Sequence, residues 1–170
     1  KGINLIISHH PIVFSGLKKF NGSNYVERTV IKAIENKIAI YAIHTNLDSV
    51  VSGVNKKIGD KLGLQNLNIL SEKPGFNNVG SGMIGEVENS MNENDFLKQV
   101  KTALDVPMLK YTQLLNKPVL KVAYCGGSGS FLLPEAIKQE ADVFISSDFK
   151  YHQYFDAENQ IVIVDVGHYE

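Results

Sequence analysis

Ile3-Asn4-Leu5-Ile6-Ile7-Ser8-His9-His10-Pro11 is an apolar, largely β-branched run that ends in two histidines and a proline. Such a run predicts a buried strand. Successive strand residues point to opposite faces, so His9 and His10 converge only if the backbone leaves the sheet after Ser8. Pro11 favours that departure by restricting His10 to extended or turn conformations. Polar residues at the C-terminal end of a strand in an α/β sheet stand where ligands usually bind. The pair therefore reads in two ways: two metal ligands at a sheet rim, or two loop histidines of which one caps a carbonyl.

The pattern around this stretch alternates. A loop over residues 12–23 leads to Asn24, which with Glu27 three residues on makes a capping box. The helix that follows carries its apolar stripe on Val26, Val30, Ile31 and Ile34. A second apolar strand over 38–43 ends in His44 and, four residues later, Asp48. A helix over 53–62 stops at Gly63, and a short strand over 67–70 follows. Strand, helix, strand, helix, strand is the signature of a parallel sheet, and unbroken apolar runs predict burial on both faces.

Residues 73–78, prolonged by Gly80-Ser81-Gly82, read as a linker, and 83–87 as an edge strand. A helix then starts at Asn92 or Asn94, and residues 108–113 suit a strand. The alternation resumes with a strand over 119–124 that enters Cys125-Gly126-Gly127-Ser128-Gly129-Ser130, and a helix through Ala136 and Ile137. A strand over 141–145 ends in Ser146-Ser147-Asp148 and a polar helix through Tyr154. The last strand, 161–166, ends in Gly167-His168. The expected fold class is α/β: two linked α/β domains, residues 1–72 and 73–170, each with a largely parallel sheet and with metal ligands at the strand ends between them. The apolar runs at both termini read as cuts through folded structure.

Composition bounds the function. The 170 residues carry a net charge of −1, with 44% hydrophobic and 21% charged residues, as in an ordinary globular protein. That balance gives no electrostatic footprint for nucleic acid or an anionic membrane. A lone cysteine, Cys125, fits a reducing compartment and hence a cytoplasmic location. No apolar stretch approaches the roughly 20 residues that a membrane-spanning helix needs.

Of the five histidines, four stand at expected strand ends: His9, His10, His44 and His168. Imidazoles with the Asp48 carboxylate suit zinc, iron, manganese, cobalt or nickel, and the scarcity of thiolate argues against an iron–sulfur cluster. More than four candidate ligands suggest two metals, which would polarise a substrate oxygen and generate a nucleophile near neutral pH. The glycine-rich turn around Gly127, Ser128 and Gly129 has the context for backbone amides to hold a phosphate, or else simply turns strand into helix tightly. It lacks the Walker lysine, the third dinucleotide-fingerprint glycine and the last glycine of a nucleophile elbow. Asp148, Lys150 and His152 could bind an anion or move protons, and Ser147 or Asp148 could equally cap the next helix.

His9-His10-Pro, His44-x-x-x-Asp48, Gly126-Gly127-Ser-Gly, Ser147-Asp148-Phe-Lys150-Tyr-His152 and Asp165-x-Gly167-His168, in this order, resemble the NIF-three-like family. Many of its members are labelled GTP cyclohydrolase type 2 homologues. The resemblance spans the whole chain. It implies two α/β domains, a two-metal site and a toroidal hexamer. It further implies His9, His10, Asp48 and His168 as metal ligands, with His44 beside the site. The metals would be two divalent transition ions (zinc, iron or manganese). The family's remaining glutamate ligand falls four residues after the last histidine, so Glu170 is not its equivalent. The family's Gly-x-Gly-Arg turn reads Gly80-Ser81-Gly82-Met83 here, without the arginine. The activity implied is metal-dependent hydrolysis of a nucleotide-like or phosphorylated small molecule, GTP included; a non-catalytic metal-binding or metal-trafficking scaffold is the competing class. Gly127, Ser128, Gly129, Asp148, Lys150 and His152 are the expected substrate contacts.

Overall fold

The computed structural model describes residues 2–168, and the chain divides into two compact units, Lys1–Leu47 and Asp48–Glu170. The expected boundary near residue 73 instead falls inside the second unit, in the connection between two strands that pair with each other.

In the first unit, β1 (Leu5–Ser8) pairs in parallel with β2 (Ala39–Ala42), and α1 (Tyr25–Glu35) joins them. Only the N-cap half of the expected capping box forms, and Glu27 turns to the amides before the cap instead of to that of Asn24. The Asn24 side chain accepts from the Glu27 amide at 3.0 Å, and the Glu27 carboxylate accepts from the amides of Asn21 and Ser23. Burial pushes Glu27 up, but these hydrogen bonds, with those from the Ser23 hydroxyl and Asn24, outweigh it and hold the carboxyl below its ordinary 4.5. A depressed folded pKa contributes stability that is complete above the unfolded value and lost as pH falls through the folded one. Glu27→Gln should therefore lower the melting temperature at neutral pH, and the gap to wild type should close as melting is followed by circular dichroism below pH 4.5. A gap that stays constant with pH would refute that role.

The expected two-sided burial fails in this unit. Ile3, Leu5, Ile7 and Tyr41 are exposed, Ile3 by 63% and Ile7 by 61%. Ile6, on the opposite face of β1, is exposed by 44% as well, so two short strands and one helix leave both faces of β1 open within a unit this small.

The second unit holds a six-stranded sheet in the order β3-β4-β6-β7-β8-β5. Its strands are β3 (Gln65–Glu72), β4 (Gly80–Asn92), β5 (Lys110–Tyr111), β6 (Pro118–Ser128), β7 (Val143–Ser147) and β8 (Val162–Asp165). The sheet is mixed rather than largely parallel. Only β6, β7 and β8 run parallel, while β3 with β4, β4 with β6, and β5 with β8 are antiparallel. The expected linker is part of this sheet: 73–79 connects β3 to β4, and Gly80-Ser81-Gly82 opens β4, an interior strand rather than an edge one. A Cβ on Gly80 would stand 2.2 Å from the Ser71 carbonyl oxygen, so glycine here permits close cross-strand approach rather than flexibility.

Here two-sided burial holds. Along β7 and β8, Val143, Ile145, Val162 and Val164 pack with Leu62, Phe96 and Val100 from the helical side formed by α2 (Val54–Lys61) and α3 (Glu93–Leu104). The alternate residues Phe144 and Ile163 pack with Leu133 and Ala136 of α4 (Leu133–Lys138). The polar segment after β7 is a 3₁₀ helix, Tyr151–Ala157. Among the described residues no helix is long and apolar enough to cross a membrane.

Candidate metal centre

The first unit contributes a cluster of imidazoles. The Ser8 hydroxyl donates to the His10 carbonyl at 3.0 Å, which bends the chain out of β1 where the sequence required it. The rings of His9 and His10 then come together, their centroids 4.5 Å apart and nearly perpendicular. His44 enters from the end of β2. Its amide donates to the His9 carbonyl at 2.8 Å, and its left-handed backbone (φ 43°) starts the 3₁₀ turn His44–Asn46. The His44 ring lies 6.0 Å from His9 and 5.8 Å from His10 by centroid, with Phe14 packed 5.6 Å away against its edge. Phe14 carries no signal in the sequence, standing alone in a loop. Beside His10 opens a cavity of about 640 Å³, lined by Ile6, Val13, Phe14, Tyr25 and Ile40, with Asn24 and Thr29 among its few polar walls.

The second unit contributes the ends of three neighbouring parallel strands. β8 closes at Asp165, whose buried carboxylate accepts from the Gly167 amide at 3.0 Å and the Tyr154 hydroxyl at 3.1 Å. Burial, then the charge of Asp165 and that hydrogen bond, push the Tyr154 hydroxyl up to about 12, so it remains a donor at any ordinary pH. Gly167 takes φ 88°, and the turn delivers His168. Its Nδ1 lies 2.5 Å from Asp148 Oδ2, at the end of β7. At the end of β6 the register slips between Tyr124 and Ser128, and Gly127 adopts φ 69°. A Cβ there would lie 3.4 Å from His168 Nε2, so glycine leaves the imidazole its room.

Asp48 also belongs to the second unit. Asn55, only 1% exposed, donates to the Asp48 carbonyl at 2.9 Å and accepts from the Gly126 amide at 2.8 Å. It thus ties the Asp48 segment to the end of β6. Nothing local marks Asn55 in the sequence; it reads as an ordinary polar helix residue. Burial, then the Asp48 carboxylate, push the Cys125 thiol up to about 11, which leaves it a small packing residue rather than a nucleophile at neutral pH.

Of the expected substrate contacts, Gly127 and Asp148 lie against His168. The Gly129 amide is already donated to Ser146 Oγ at 2.9 Å, and that hydroxyl donates to the Gly127 carbonyl, so Gly129 is not an anion-binding amide. Ser128 is the last residue of β6, and after Gly129 a 3₁₀ turn, Ser130–Leu132, leads into α4, so the segment turns strand tightly into helix. Lys150 and His152 are exposed, and the Lys150 amide donates to Gln153 Oε1 at the start of the 3₁₀ helix. That hydrogen bond provides the cap expected from Ser147 or Asp148.

By donor type each unit offers groups that suit a transition metal: imidazoles in the first, and in the second an imidazole backed by a carboxylate and a further aspartate. Among the described residues no three such side chains already form a group that could hold one ion.

Comparison with known proteins agrees with this architecture. The sequence profile of the family described as Duf34/NIF3 (NGG1p interacting factor 3) matches residues 1–170, and the chain belongs to that family. It is 33% identical over 171 residues to a protein of Clostridium acetobutylicum named GTP cyclohydrolase 1 type 2 homolog, covering 99% of this chain and 64% of the relative. A Lactococcus lactis protein of the same name is 31% identical, with 99% and 65% covered. The chain thus spans just under two-thirds of the length of these curated relatives. Among solved structures, a Staphylococcus aureus hypothetical protein superposes with a TM-score of 0.84 at 29% identity, covering 98% of this chain and 67% of that one. A Bacillus cereus protein related to NIF3 gives 0.85 at 24% identity, with 97% and 72% covered, and shows the shared fold.

Proposed function

We propose that the chain binds two divalent transition-metal ions through His9, His10, Asp48 and His168, and that the protein hydrolyses a nucleotide-like or phosphorylated small molecule. The observation that carries this reading is the gathering of ionisable groups at strand ends: three imidazoles within 6.0 Å of one another in one unit, and His168 paired with Asp148 in the other. His9 and His10 supply neutral ring nitrogens and Asp48 an anionic oxygen, while His44 stands beside the pair and restricts their rings. When bound, the metals would act as Lewis acids towards a substrate oxygen and lower the pKa of a water. The cavity beside His10 is largely apolar and would seat the uncharged, planar part of a substrate while its polar group meets the histidines. The names of the curated relatives support GTP as the first substrate to assay. Assembly into a hexamer and a cytoplasmic setting belong to the same proposal.

Elemental analysis of the purified full-length protein is the direct test, and about two metals per chain is the expected result for a two-metal site. Absence of bound metal after incubation with zinc, manganese or iron would overturn the proposal. His10→Ala and Asp48→Ala should each lower the metal content while leaving the far-ultraviolet circular dichroism spectrum near wild type. Turnover of GTP and other nucleotides by metal-loaded protein separates hydrolase from scaffold, since a scaffold would bind metal and release no product.

A further inference from the structure

We propose that Asp148 is a positioning residue for His168, its carboxylate holding the Nδ1–H so that Nε2 is the nitrogen presented to metal. This inference rests on the metal-binding reading above and moves Asp148 from the expected substrate contacts into the support of a ligand. Three features of the second unit converge on it.

The first is construction. Asp148 follows the last residue of β7 and takes a left-handed backbone, φ 60°, which costs an aspartate about 1 kcal/mol. His168 arrives by a separate turn, locked by the Asp165 carboxylate on the Gly167 amide. The two strands are neighbours in register, Ser146 opposite Asp165, so the two turns bring the side chains together from adjacent strand ends. The second feature is orientation. Asp148 Oδ2 engages Nδ1, whereas the Nε2–Cε1 edge lies beside Gly127, where a Cβ would have stood 3.4 Å from Nε2. The third is energy. The pair is about half exposed, with side chains 51% and 42% accessible. An exposed ion pair is worth only about 0–1 kcal/mol, no more than the strained turn costs. Its geometry is thus better explained by what it does to the imidazole than by what it adds to stability. A carboxylate on the distal nitrogen fixes the tautomer and raises the basicity of a ligating histidine, and its loss typically weakens metal binding about 10–100-fold.

The test uses full-length protein and two readouts. Zinc or cobalt(II) titration of wild type, Asp148→Asn, Asp148→Ala and His168→Ala should give a graded series. Alanine should weaken binding about 10–100-fold, and asparagine, which still accepts the Nδ1–H through its amide oxygen, should weaken it less. The second readout is the imidazole nitrogen NMR of metal-free protein at a pH where His168 is neutral. Wild type should show the Nδ1–H form, and Asp148→Ala should lose that preference. Unchanged affinity in Asp148→Ala, when His168→Ala weakens binding, would overturn the inference. An unchanged tautomer in the alanine variant would do the same. Wild type that binds no metal but shows the expected tautomer shift would sink the metal-binding reading and leave the Asp148–His168 pairing standing.

Discussion

Gly129→Ala is expected to lose about 3 kcal/mol of stability and to disorder the end of β6, although a single methyl group is added. The backbone of Gly129 is unstrained, with φ −118°, so the cost is not conformational. The added Cβ would lie 2.5 Å from Cys125 Cβ and 2.7 Å from Ser146 Oγ. Neither neighbour can withdraw. Cys125 sits in the irregular segment of β6, and Ser146 is fully buried with its hydroxyl engaged on both sides, accepting from the Gly129 amide and donating to the Gly127 carbonyl. Relief therefore requires breaking that bridge, which leaves buried polar groups unpaired at about 1–3 kcal/mol each. The bridge also fixes Gly127 against His168, so the substitution should lower metal affinity together with stability. Chemical denaturation and metal titration of the same variant check both. A Gly129→Ala protein with wild-type stability would show that the turn relaxes freely and that the proposed rigidity is wrong.

Gly59→Ala should destabilise by about 2–3 kcal/mol, the reverse of what helix propensity gives. Replacing glycine by alanine inside a helix ordinarily gains up to about 1 kcal/mol. Gly59 lies in α2, but a Cβ there would meet the Tyr124 hydroxyl at 2.1 Å and the Leu67 side chain at 2.9 Å. Tyr124 is completely buried among Leu62, Phe96 and Val122 and its ring has nowhere to go. The helix therefore rests on the sheet at van der Waals distance only because position 59 has no side chain. Tyr124→Phe removes the atom in conflict. Combined with Gly59→Ala it should recover most of the loss, giving a coupling energy of about 1–2 kcal/mol in a double-mutant cycle. Additive effects of the two substitutions would mean that the methyl group is accommodated elsewhere. Since α2 also carries Asn55, the anchor of Asp48, this packing contact bears on the proposed metal site as well as on stability.

Both substitutions concern glycines, which the sequence marks only as breaks in a pattern. Much else was legible. The alternation of apolar runs with capped, striped segments determines the α/β class, because hydrophobic period and capping chemistry are local properties. Asn24 with Glu27 and Asn92 with its helix are written in residues three apart, and both caps form. The histidines at strand ends were visible for the same reason, and the bend after Ser8 follows from adjacent side chains needing one side.

Strand direction was decided only in three dimensions. Residues 73–79 are Gly- and Pro-bearing whether they link two domains or turn one strand back on another, and local chemistry is the same in both cases. The pairing of β3 with β4 and of β4 with β6 depends on partners up to about 40 residues distant, and it converts an expected linker and edge strand into the interior of a mixed sheet. Burial is also a collective property. Leu5-Ile6-Ile7 and Val162-Ile163-Val164 look alike as sequence, yet the first is exposed in a two-stranded unit and the second is sealed between helices. The roles at the site divide along the same line. The residue types of His9, His10, Asp48 and His168 mark them as candidate ligands in the sequence. That Asp148 faces His168, that Asn55 holds Asp48, and that Gly129 has no amide to offer follow from which strand ends the sheet sets side by side.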